Sequence, residues 1–384
     1  MKILYHHRIR SKDGQFVHLE EMVHALRSLG HEVEIVGPRH VEHESFGADS
    51  GFVAVLKQWL PKALYEILEL GYALTDLREL GRAVRRFRPH VIYERYNLYF
   101  PSGVWARRRY GVPLLLEVNA PLYEERSRFG GIALSGLARW SEHYTWRGAD
   151  LVLPVTSVLA ERVAAAGVDR ERIRVIPNGI NAESFARLPA RDDAKRSLGL
   201  ENRFVIGFVG FMREWHGLDR VLDFIAQTPM QPPLHALLVG DGPARAALET
   251  RARELGIVDR VTFTGVMPRE RIPGTLAAFD VALQPAVVDY ASPLKLFEYL
   301  ALGLPIIAPD SPNIREVLTD GVNAALFLNG DGAAFVRCLQ KVCGDALLRE
   351  TLSRSARATI ETQGLTWRRN AERVSELARA LVPA

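Results

Sequence analysis

Residues 289–305 read DYASPLKLFEYLALGLP, and this stretch predicts a helix that starts with a polar cap. Ser292 can accept a hydrogen bond from the free N–H groups of a first helical turn, and Pro293 suits the first helical position. Lys295 and Glu298 lie three residues apart and share one helix face. An open helix N-terminus beside a lysine favours a diphosphate, and the carboxylate could accept two hydroxyl hydrogens. The alternative is a capped core helix with a surface ion pair between Lys295 and Glu298.

Apolar runs of strand length alternate with amphipathic segments of helix length along the whole chain. This alternation predicts an α/β protein with parallel sheets that are covered on both faces. In the first half the predicted strands are Lys2–His6, Glu32–Gly37, Val91–Glu94, Pro113–Val118, Leu151–Pro154 and Arg174–Pro177. In the second half they are Phe204–Val209, Leu234–Val239, Val261–Thr264, Val281–Gln284, Pro305–Ala308 and Ala324–Phe327. Residues 51–88 are long enough for two helices.

The two strand series predict two doubly wound, Rossmann-like domains that face each other across a cleft. Between the series, NGIN at 178–181 and the polar, proline-containing stretch 188–200 are typical of a turn and a linker. We therefore predict an N-terminal domain of residues 1–185 and a C-terminal domain of residues 186–365. The final segment, 366–384, is helical in pattern from Trp367 to Leu381 and could return to brace the first domain.

Composition is that of a soluble globular protein that can bury large cores. The chain has 384 residues, of which 48% are hydrophobic and 24% are charged. No apolar run is long enough to span a bilayer, and MKILY at 1–5 favours a first strand over a signal peptide, so we expect a cytoplasmic protein. Cys338 and Cys343 lack His or Cys partners at ligand spacing, which argues against a metal site.

The net charge of +4 and a pI near 9.1 favour an anionic partner. That partner could be a nucleotide diphosphate, an acidic membrane surface or nucleic acid, and the sign of the charge does not choose among them. Arginine clusters at 82–88 and 107–109 could contact anionic lipid, which would place the protein at the inner face of a membrane. The alternative is that both clusters lie on solvated helix faces.

Two glycine-containing loops in the second half follow apolar strands and lead into helices. Residues 207–219, GFVGFMREWHGLD, allow close backbone approach at Gly210, while Arg213 and His216 supply positive charge for a diphosphate. Residues 238–243, LVGDGP, predict a second tight turn beside the same strand ends, with a role in shape. The first loop could instead serve only the packing of a strand against a helix.

The segment after the first strand lacks the Gly-x-Gly-x-x-Gly spacing of dinucleotide binding, which disfavours a nicotinamide enzyme. Gly14 can nevertheless bring a helix N-terminus close to the cleft. One turn later, His18 could face an acceptor molecule or form a hydrogen bond within the domain.

Polar side chains also follow two later strands of the first half. Glu117 and Asn119 close one apolar strand, where they could contact acceptor hydroxyls, and Arg95 ends the preceding strand. A buried network of Arg95 with Glu94 or Glu117 accounts for the same residues equally well.

Taken in order, the motifs resemble those of family 4 retaining glycosyltransferases with a GT-B fold. The motifs are PNGI at 177–180, the glycine loop at 210–217, GDGP at 240–243 and residues 292–305. The resemblance spans nearly the whole chain. It is closest to bacterial members that make exopolysaccharide or modify other glycans, on the basis of YERY at 93–96 and SPLKLFEY at 292–299.

The resemblance implies transfer of a hexose-type sugar from a nucleotide diphosphate to an acceptor hydroxyl, with retention of the anomeric configuration. The C-terminal domain would bind the nucleotide-sugar co-substrate. The N-terminal domain would bind a glycan, a lipid-linked acceptor or a small molecule, and no cofactor, metal or nucleic acid is expected. The alternatives are a GT-B nucleotide-sugar epimerase and a non-catalytic nucleotide-sugar-binding protein.

The family's Glu-x7-Glu motif places its second carboxylate, which holds the donor ribose, at Glu298. The first carboxylate falls at Tyr290, with Asp289 next to it as a substitute. The family's cationic positions on the diphosphate fall at Phe211 and His216. Many members have a histidine where this chain has Asn119, so no general base is assigned, and the departing phosphate would take the acceptor proton.

The resemblance therefore implies three groups of site residues. The catalytic group, which would stabilise the leaving diphosphate, comprises Arg213, Lys295 and a protonated His216. The donor-binding group comprises Gly210, Asp289, Tyr290, Ala291, Ser292, Pro293, Leu294 and Glu298. The acceptor-binding group comprises Gly14, His18, Arg95, Glu117 and Asn119.

Overall fold

The structure is a computed structural model, and it describes residues 1–9, 14–38, 60–186 and 188–382. The described residues form two sheets whose strand pairs are parallel. The first sheet has the order β2-β1-β3-β4-β5 and comprises β1 Lys2–His6, β2 Glu32–Val36, β3 Val91–Arg95, β4 Leu114–Val118 and β5 Leu151–Pro154. The second has the order β11-β10-β9-β6-β7-β8 and comprises β6 Phe204–Val209, β7 Leu234–Val239, β8 Val261–Gly265, β9 Val281–Leu283, β10 Ile306–Asp310 and β11 Ala325–Leu328.

Helices connect the strands in both sheets, so the predicted α/β class is confirmed. The helices along the first sheet are α1 Gly14–Ser28, α2 Lys62–Phe87, α3 Ser102–Tyr110, α4 Leu122–Phe129, α5 Ser135–Gly148 and α6 Ser157–Ala165. Those that follow are α7 Arg191–Ser197, α8 Leu218–Gln227, α9 Arg245–Glu254, α10 Ile272–Leu276, α11 Leu294–Leu302, α12 Pro312–Arg315, α13 Gly332–Gly344, α14 Ala346–Thr362 and α15 Trp367–Leu381. Of the two helices predicted in 51–88, the described part is the single helix α2, and residues 51–59 lie outside the description.

Every predicted strand except Arg174–Pro177 is present. There the prediction is wrong, because only an isolated bridge joins Val152 to Ile173. The N–H groups of Arg174 and Ile176 do bond to the carbonyls of Val152 and Pro154. Pro154 and Pro177 have no N–H, however, so a continuous ladder cannot form at this edge.

The chain separates into two compact units. The first contains Met1–Asn178, Tyr290–Ser292 and Trp367–Ala384, and the second contains Gly179–Asp289 and Pro293–Thr366. The sequence placed the boundary near 185, but local bonds place it after Asn178. The Asn178 side chain donates to the Ser292 carbonyl, while the N–H of Ile180 donates to the carbonyl of Leu365.

Helix α15 belongs to the first unit, where it packs on α1. His31 Nε2, just beyond α1, lies 2.7 Å from Ser375 Oγ on α15. The ring of Trp367 meets the ring of His18 edge-on, with 4.7 Å between centroids. The predicted helix from Trp367 to Leu381 therefore contributes to the core of the first unit.

The central strands are buried on both faces, as expected for parallel sheets covered by helices. All residues of β3, β4 and β6 are buried. Glu117 lies within β4, where the other residues are apolar, so its carboxylate needs partners inside the fold. Among the described helices, none combines the length and hydropathy that a membrane span requires.

Candidate functional site

The second sheet has a switch point beside β6. From β6 the strand order runs through β7 and β8 on one side and through β9, β10 and β11 on the other. Open α/β sheets bind ligands at such a point, beyond the carboxyl ends of the strands. Gly210 follows β6 and helix α11 follows β9, so both flank the switch point.

The loop after β6, which contains Gly210, is hydrogen-bonded to the end of β7 and to the loop that follows it, which contains Gly240. The N–H of Gly210 donates to Val239 O at 2.9 Å, and the N–H of Met212 donates to Asp241 O at 2.8 Å. A Cβ atom on Gly240 would lie 2.3 Å from Gly210 O, and Gly240 has a φ of +124°. Only glycine permits this approach, so the loop after β7 fixes the shape of the loop after β6.

Lys295 is a half-buried cation at the switch point. Its Nζ lies 3.8 Å from the centroid of the Phe208 ring and 3.1 Å from the position that a Cβ on Gly210 would take. Burial lowers the pKa of Lys295 to about 7, although the charge of Glu298 opposes the shift. Among the described residues no carboxylate forms an ion pair with Lys295, so the ammonium is available to an anion.

Glu298 lies one turn further along the same face of α11 and is also half-buried. Burial raises the pKa of Glu298 to about 7, while Lys295 and Arg269 act in the opposite direction. The surface ion pair considered as an alternative is therefore not what the structure shows. The two oppositely charged groups instead share one face of α11 without forming an ion pair with each other.

The start of α11 differs from the prediction. The helix begins at Leu294, Pro293 occupies the N-cap position, and no side chain caps the first turn. Ser292 does not cap the helix, because its Oγ accepts the N–H of Asn178 at 3.3 Å. Within the described part of the chain, the N–H groups of Leu294 and Lys295 have no acceptor. Uncapped N–H groups at a helix N-terminus form an anion site, here next to the Lys295 ammonium.

Arg213 caps the short 3-10 turn Glu214–His216 that follows Gly210, and His216 is its last residue. Arg213 is exposed, and its guanidinium lies 5.1 Å from the centroid of the Phe211 ring. His216 is buried, and its Nδ1 accepts the N–H of Arg213 at 3.1 Å. Burial, together with Lys295 and Arg213, lowers the pKa of His216 to about 3. The predicted protonated His216 is therefore wrong, and its neutral ring can offer only the Nε2 hydrogen.

The predicted donor-binding residues fall into both units. Tyr290, Ala291 and Ser292 belong to the first, and Gly210, Asp289, Pro293, Leu294 and Glu298 belong to the second. The carbonyl of Tyr290 accepts from Thr156 Oγ1 at 2.9 Å, and its ring lies 5.3 Å from the Arg162 guanidinium. Burial and then Glu125 raise the pKa of Tyr290. The side chain at the family's first carboxylate position therefore anchors this segment within the first unit.

Glu117 is the centre of a buried network in the first unit. Its carboxylate accepts from Arg95 Nη1 at 2.6 Å and from Tyr93 OH at 2.7 Å, and it also accepts from Asn119 Nδ2. His18 Nε2 lies 2.8 Å from Glu117 Oε2. Burial alone would raise the pKa of Glu117, but His18 and Arg95 hold it well below its usual value. Both carboxylate oxygens thus bond within the protein, and a role of Glu117 toward an acceptor remains a prediction.

His18 connects this network to Asn178, a residue that the sequence analysis did not single out. His18 Nδ1 lies 2.7 Å from Asn178 Oδ1, and Asn178 Nδ2 donates to Ser292 O at 2.6 Å. The Asn178 amide nitrogen faces a carbonyl, so its oxygen faces His18, and His18 Nδ1 must carry a hydrogen. The PNGI motif at 177–180 is the sequence signal from which Asn178 could have been identified. Gly14 is the exposed first residue of α1, one turn before His18.

A second buried cluster in the first unit was also missed. His6 Nδ1 lies 2.6 Å from Glu94 Oε2, and His6 Nε2 lies 3.0 Å from Asp76 Oδ2. Arg8 Nη1 lies 2.9 Å from Asp76 Oδ1, and Ser102 Oγ donates to the same carboxylate. Of the two networks proposed for Arg95, the structure therefore has the one with Glu117, because Glu94 pairs with His6.

No set of three His, Cys, Asp or Glu side chains among the described residues is arranged to hold a metal ion. Three predicted charged residues, Lys295, Arg213 and Glu298, lie on α11 or in the segment that follows Gly210, beside the switch point of the second sheet. Together with the uncapped N–H groups of α11, the two cations can neutralise a polyanion, while Glu298 can accept hydrogens from hydroxyls.

Comparison with known proteins agrees with this arrangement. Residues 13–179 match the family described as Glycosyl transferase 4-like domain, and residues 190–359 match Glycosyl transferases group 1. The chain is 27% identical over 307 residues to 2-deoxystreptamine glucosyltransferase of Streptomyces kanamyceticus, covering 77% of this chain and 76% of the relative. It is 28% identical over 338 residues to the lipopolysaccharide core biosynthesis glycosyltransferase LpsE of Rhizobium meliloti, covering 84% and 94%.

The fold is that of solved glycosyltransferase structures. Anabaena Alr3699/HepE, crystallised in complex with UDP, superposes with a TM-score of 0.77 at 20% identity, covering 99% of this chain and 100% of that one. The two family matches together account for most of both units. The chain therefore belongs to the family 4-like glycosyltransferases and has the two-domain α/β architecture of the GT-B fold.

Proposed function

We propose that this glycosyltransferase moves a hexose-type sugar from a nucleotide diphosphate to an acceptor hydroxyl with retention, in bacterial polysaccharide or glycoconjugate synthesis. One observation carries the proposal. The Lys295 ammonium lies beside Gly210 at the switch point of the second sheet, and the N–H groups of Leu294 and Lys295, at the start of the same helix, have no acceptor among the described residues. The relatives include a lipopolysaccharide core glycosyltransferase, which supports the choice of pathway.

The site suits a reaction in which negative charge grows on a leaving group. As the bond between the sugar C1 and the phosphate oxygen breaks, the leaving diphosphate gains charge. Lys295, Arg213 and the first-turn N–H groups of α11 would stabilise that charge more strongly in the transition state than in the bound donor. His216 would contribute a neutral N–H donor, and Glu298 would accept hydrogens from the donor ribose.

Retention follows if the acceptor oxygen attacks from the face that the phosphate leaves. The acceptor oxygen forms the new bond to C1, and its proton moves to the departing phosphate oxygen, so no protein base is required. Asn119, where many family members have a histidine, has no basic group, and its Nδ2 donates to Glu117. We also propose that no metal ion or cofactor takes part.

The first test is donor binding. Purified protein is screened for thermal stabilisation by UDP-, GDP-, ADP- and dTDP-sugars, because a ligand at a hundredfold excess over its Kd adds about 2.7 kcal/mol to the free energy of unfolding. We expect one nucleotide class to stabilise wild-type protein and to do so much less with Lys295→Ala. If no nucleotide sugar stabilises the protein, the proposal fails.

The second test separates transfer from its alternatives. An epimerase would convert the donor without an acceptor, and a non-catalytic binding protein would leave the donor intact in every condition. The family match does not support the epimerase. We expect sugar release from the donor to depend on an added glycan, lipid-linked or small-molecule acceptor. Product from the donor alone would contradict transfer.

We further propose that the protein works in the cytoplasm, in peripheral contact with an anionic membrane. The net charge of +4 supports such a contact. The arginine cluster at 107–109 is partly used inside the fold, however: Arg107 pairs with Asp150, and Arg108 donates to the Tyr144 hydroxyl at 3.0 Å. The membrane contact is therefore not assigned to the cluster at 107–109.

A further inference from the structure

Helix α2 exposes an apolar stripe along its first half. Leu64, Ile67, Leu68 and Leu74 are 43%, 51%, 47% and 54% exposed. Steps of three, four or seven residues place these side chains on one face of the helix. A face of this kind normally packs against a core, yet these four aliphatic side chains have no covering partner among the described residues.

The same face becomes basic in the second half of the helix. Arg78 and Arg82 continue the spacing from Leu74, and both are exposed. Neither guanidinium has a hydrogen-bond or ion-pair partner among the described residues. By contrast, Arg85 donates to the Tyr110 hydroxyl at 2.7 Å and Arg86 pairs with Glu34. Two free cations therefore follow the apolar stripe.

Most of the acidic side chains of α2 turn away from this face. The buried carboxylate of Glu66 accepts backbone N–H groups before α5, and Glu69 accepts from Arg126 at 3.1 Å. Asp76 is buried in the cluster around His6. Glu79 is the exposed exception. The face is thus apolar at one end and cationic at the other.

We propose that this surface docks on an anionic lipid bilayer. It is called the α2 face and is defined by Leu64, Ile67, Leu68, Leu74, Arg78 and Arg82. A helix lying in the membrane plane buries its apolar side chains at the boundary of the acyl chains and extends arginines to lipid phosphates. The inference deepens the membrane contact proposed above, on which it rests, by naming the surface and the lipid charge.

Charge argues against a second copy of the chain as the occupant. If two α2 faces paired in parallel over their length, Arg78 and Arg82 would meet the same two cations. If they paired antiparallel over their length, the leucines of one copy would meet the arginines of the other. An anionic bilayer, by contrast, offers acyl chains to the apolar half of the α2 face and phosphates to its cationic half.

The test is co-sedimentation of the full chain with vesicles of phosphatidylcholine, with and without phosphatidylglycerol. We expect wild-type protein to bind only the anionic vesicles. Ile67→Glu with Leu74→Glu should abolish binding. Arg78→Ala with Arg82→Ala should weaken it about thirtyfold, because each arginine near an anionic surface contributes about 1 kcal/mol. High salt should weaken wild-type binding more than binding of the arginine variant.

Two other exposed apolar residues provide a matched control. Leu347 and Val258 are 74% and 59% exposed and lie in the second unit, so Leu347→Glu with Val258→Glu should leave vesicle binding unchanged. Thermal stabilisation by the nucleotide sugar is measured on every variant. For the wild-type protein, normal stabilisation by nucleotide without binding to anionic vesicles overturns the lipid inference alone, whereas vesicle binding without stabilisation by any nucleotide overturns the donor proposal alone. A wild-type dimer that Ile67→Glu with Leu74→Glu dissociates, without lipid binding, would also overturn this inference.

Discussion

Lys295 and Glu298 carry opposite charges on one face of α11, and burial moves the pKa of each to about 7. Near neutral pH, each group is therefore poised between its charged and neutral forms when the site is empty. A diphosphate favours the charged ammonium, and a ribose hydroxyl favours the ionised carboxylate. Donor binding should therefore depend on pH through both groups.

We predict that donor affinity is highest near pH 7 and falls on both sides. Above pH 7 Lys295 loses its proton, and below pH 7 Glu298 gains one, each lowering affinity by up to about tenfold per pH unit. The Kd of the stabilising nucleotide is measured by calorimetry across this range. Lys295→Met should bind weakly at neutral pH and lack the alkaline decline, so an alkaline decline that persists in this variant would contradict the assignment.

Glu298→Ala should weaken binding of the nucleotide sugar by about tenfold to a hundredfold, since hydrogen bonds to a charged group contribute about 1.5–3 kcal/mol. The fold should be retained, because Glu298 is half-buried and pairs with no other side chain among the described residues. Glu254→Ala on α9 serves as the control, as Glu254 is exposed and pairs with Arg251. Calorimetry that gives equal affinities for wild type and Glu298→Ala would remove Glu298 from the site.

Several residue roles could not be predicted because they depend on partners far away in sequence. Ser292 has the side chain of a helix cap, yet it bonds to Asn178, 114 residues earlier. Glu117 looks like an acceptor-binding residue at a strand end, but its partners come from other elements of the first unit. Lys295 and Glu298 were predictable, because their helical spacing alone puts them on one face.

At the scale of elements, the cluster of His6, Arg8, Asp76 and Glu94 joins β1 and β3 to α2. Burial alone would lower the pKa of His6, but Asp76 and then Glu94 raise it to about 10. Burial would raise the pKa of Asp76, but His6 and Arg8 lower it to about 2. The charged forms therefore hold these three elements together.

We predict that His6→Gln lowers the free energy of unfolding by about 3–5 kcal/mol, because it removes the charged partner of the buried Glu94 and leaves the buried Asp76 with Arg8 as its one remaining cation among the described residues. The folded pKa of His6 is above its usual 6.5, so its stabilisation is complete below about pH 6.5 and is lost as pH rises through about 10. Asp76 has a lowered pKa, so its stabilisation of the fold is present above about pH 4 and is lost as pH falls toward 2.

Chemical denaturation at a series of pH values measures both effects. Glu161→Gln is the control, since the exposed pair of Glu161 with Arg170 should contribute almost nothing. If wild type and His6→Gln lose stability in parallel between pH 7 and 10, the charge assigned to His6 is wrong.

Gly240→Ala should disturb the donor loop as well as stability. Its Cβ would collide with Gly210 O at 2.3 Å, and its φ of +124° disfavours any side chain. We expect a loss of about 1–3 kcal/mol in the free energy of unfolding and a weaker affinity for nucleotide. Gly256→Ala separates the effect of the positive φ from that of the collision, because Gly256 also has a positive φ but has open space around its Cβ position. Equal nucleotide affinities in the two variants would refute the role of the close approach.

The elements themselves were largely predictable. Buried parallel strands such as β6 and β7 are nearly uninterrupted apolar runs, and the structure has them at the predicted bounds. The segment Arg174–Pro177 has similar composition, but prolines at this sheet edge prevent a ladder. The local pattern of apolar residues was thus enough to predict the strands of both sheets. The segment Arg174–Pro177 is the exception, because whether it forms a strand depends on the hydrogen bonds that the neighbouring strand β5 can make.

At the scale of the whole molecule, we predict that transfer does not require a metal ion. Lys295, Arg213 and the first turn of α11 supply the positive potential that a divalent cation would otherwise provide. The rate of sugar transfer is measured after treatment with EDTA, and we expect it to equal the untreated rate. Loss of turnover that is restored only by Mg²⁺ or Mn²⁺ would contradict this site.

The order of motifs along the chain was enough to identify the family, although only the glycine loop at 210–217 and GDGP at 240–243 begin directly at a strand end. The division between units was less predictable. Contacts of Asn178 and Ile180 decide where the chain passes from one unit to the other, and composition changes only gradually through 178–200.

The chain leaves the first unit after Asn178, returns to it for Tyr290–Ser292, and returns again at Trp367. A single cut near the middle of the chain would therefore leave neither fragment with a complete unit. An expressed piece spanning 179–366 would carry Tyr290 and Ser292 without Thr156 and Asn178, and a piece ending at 178 would lack the helix that covers α1. Dissection of this enzyme into halves should therefore be done by co-expression of both pieces, with complementation of activity as the readout.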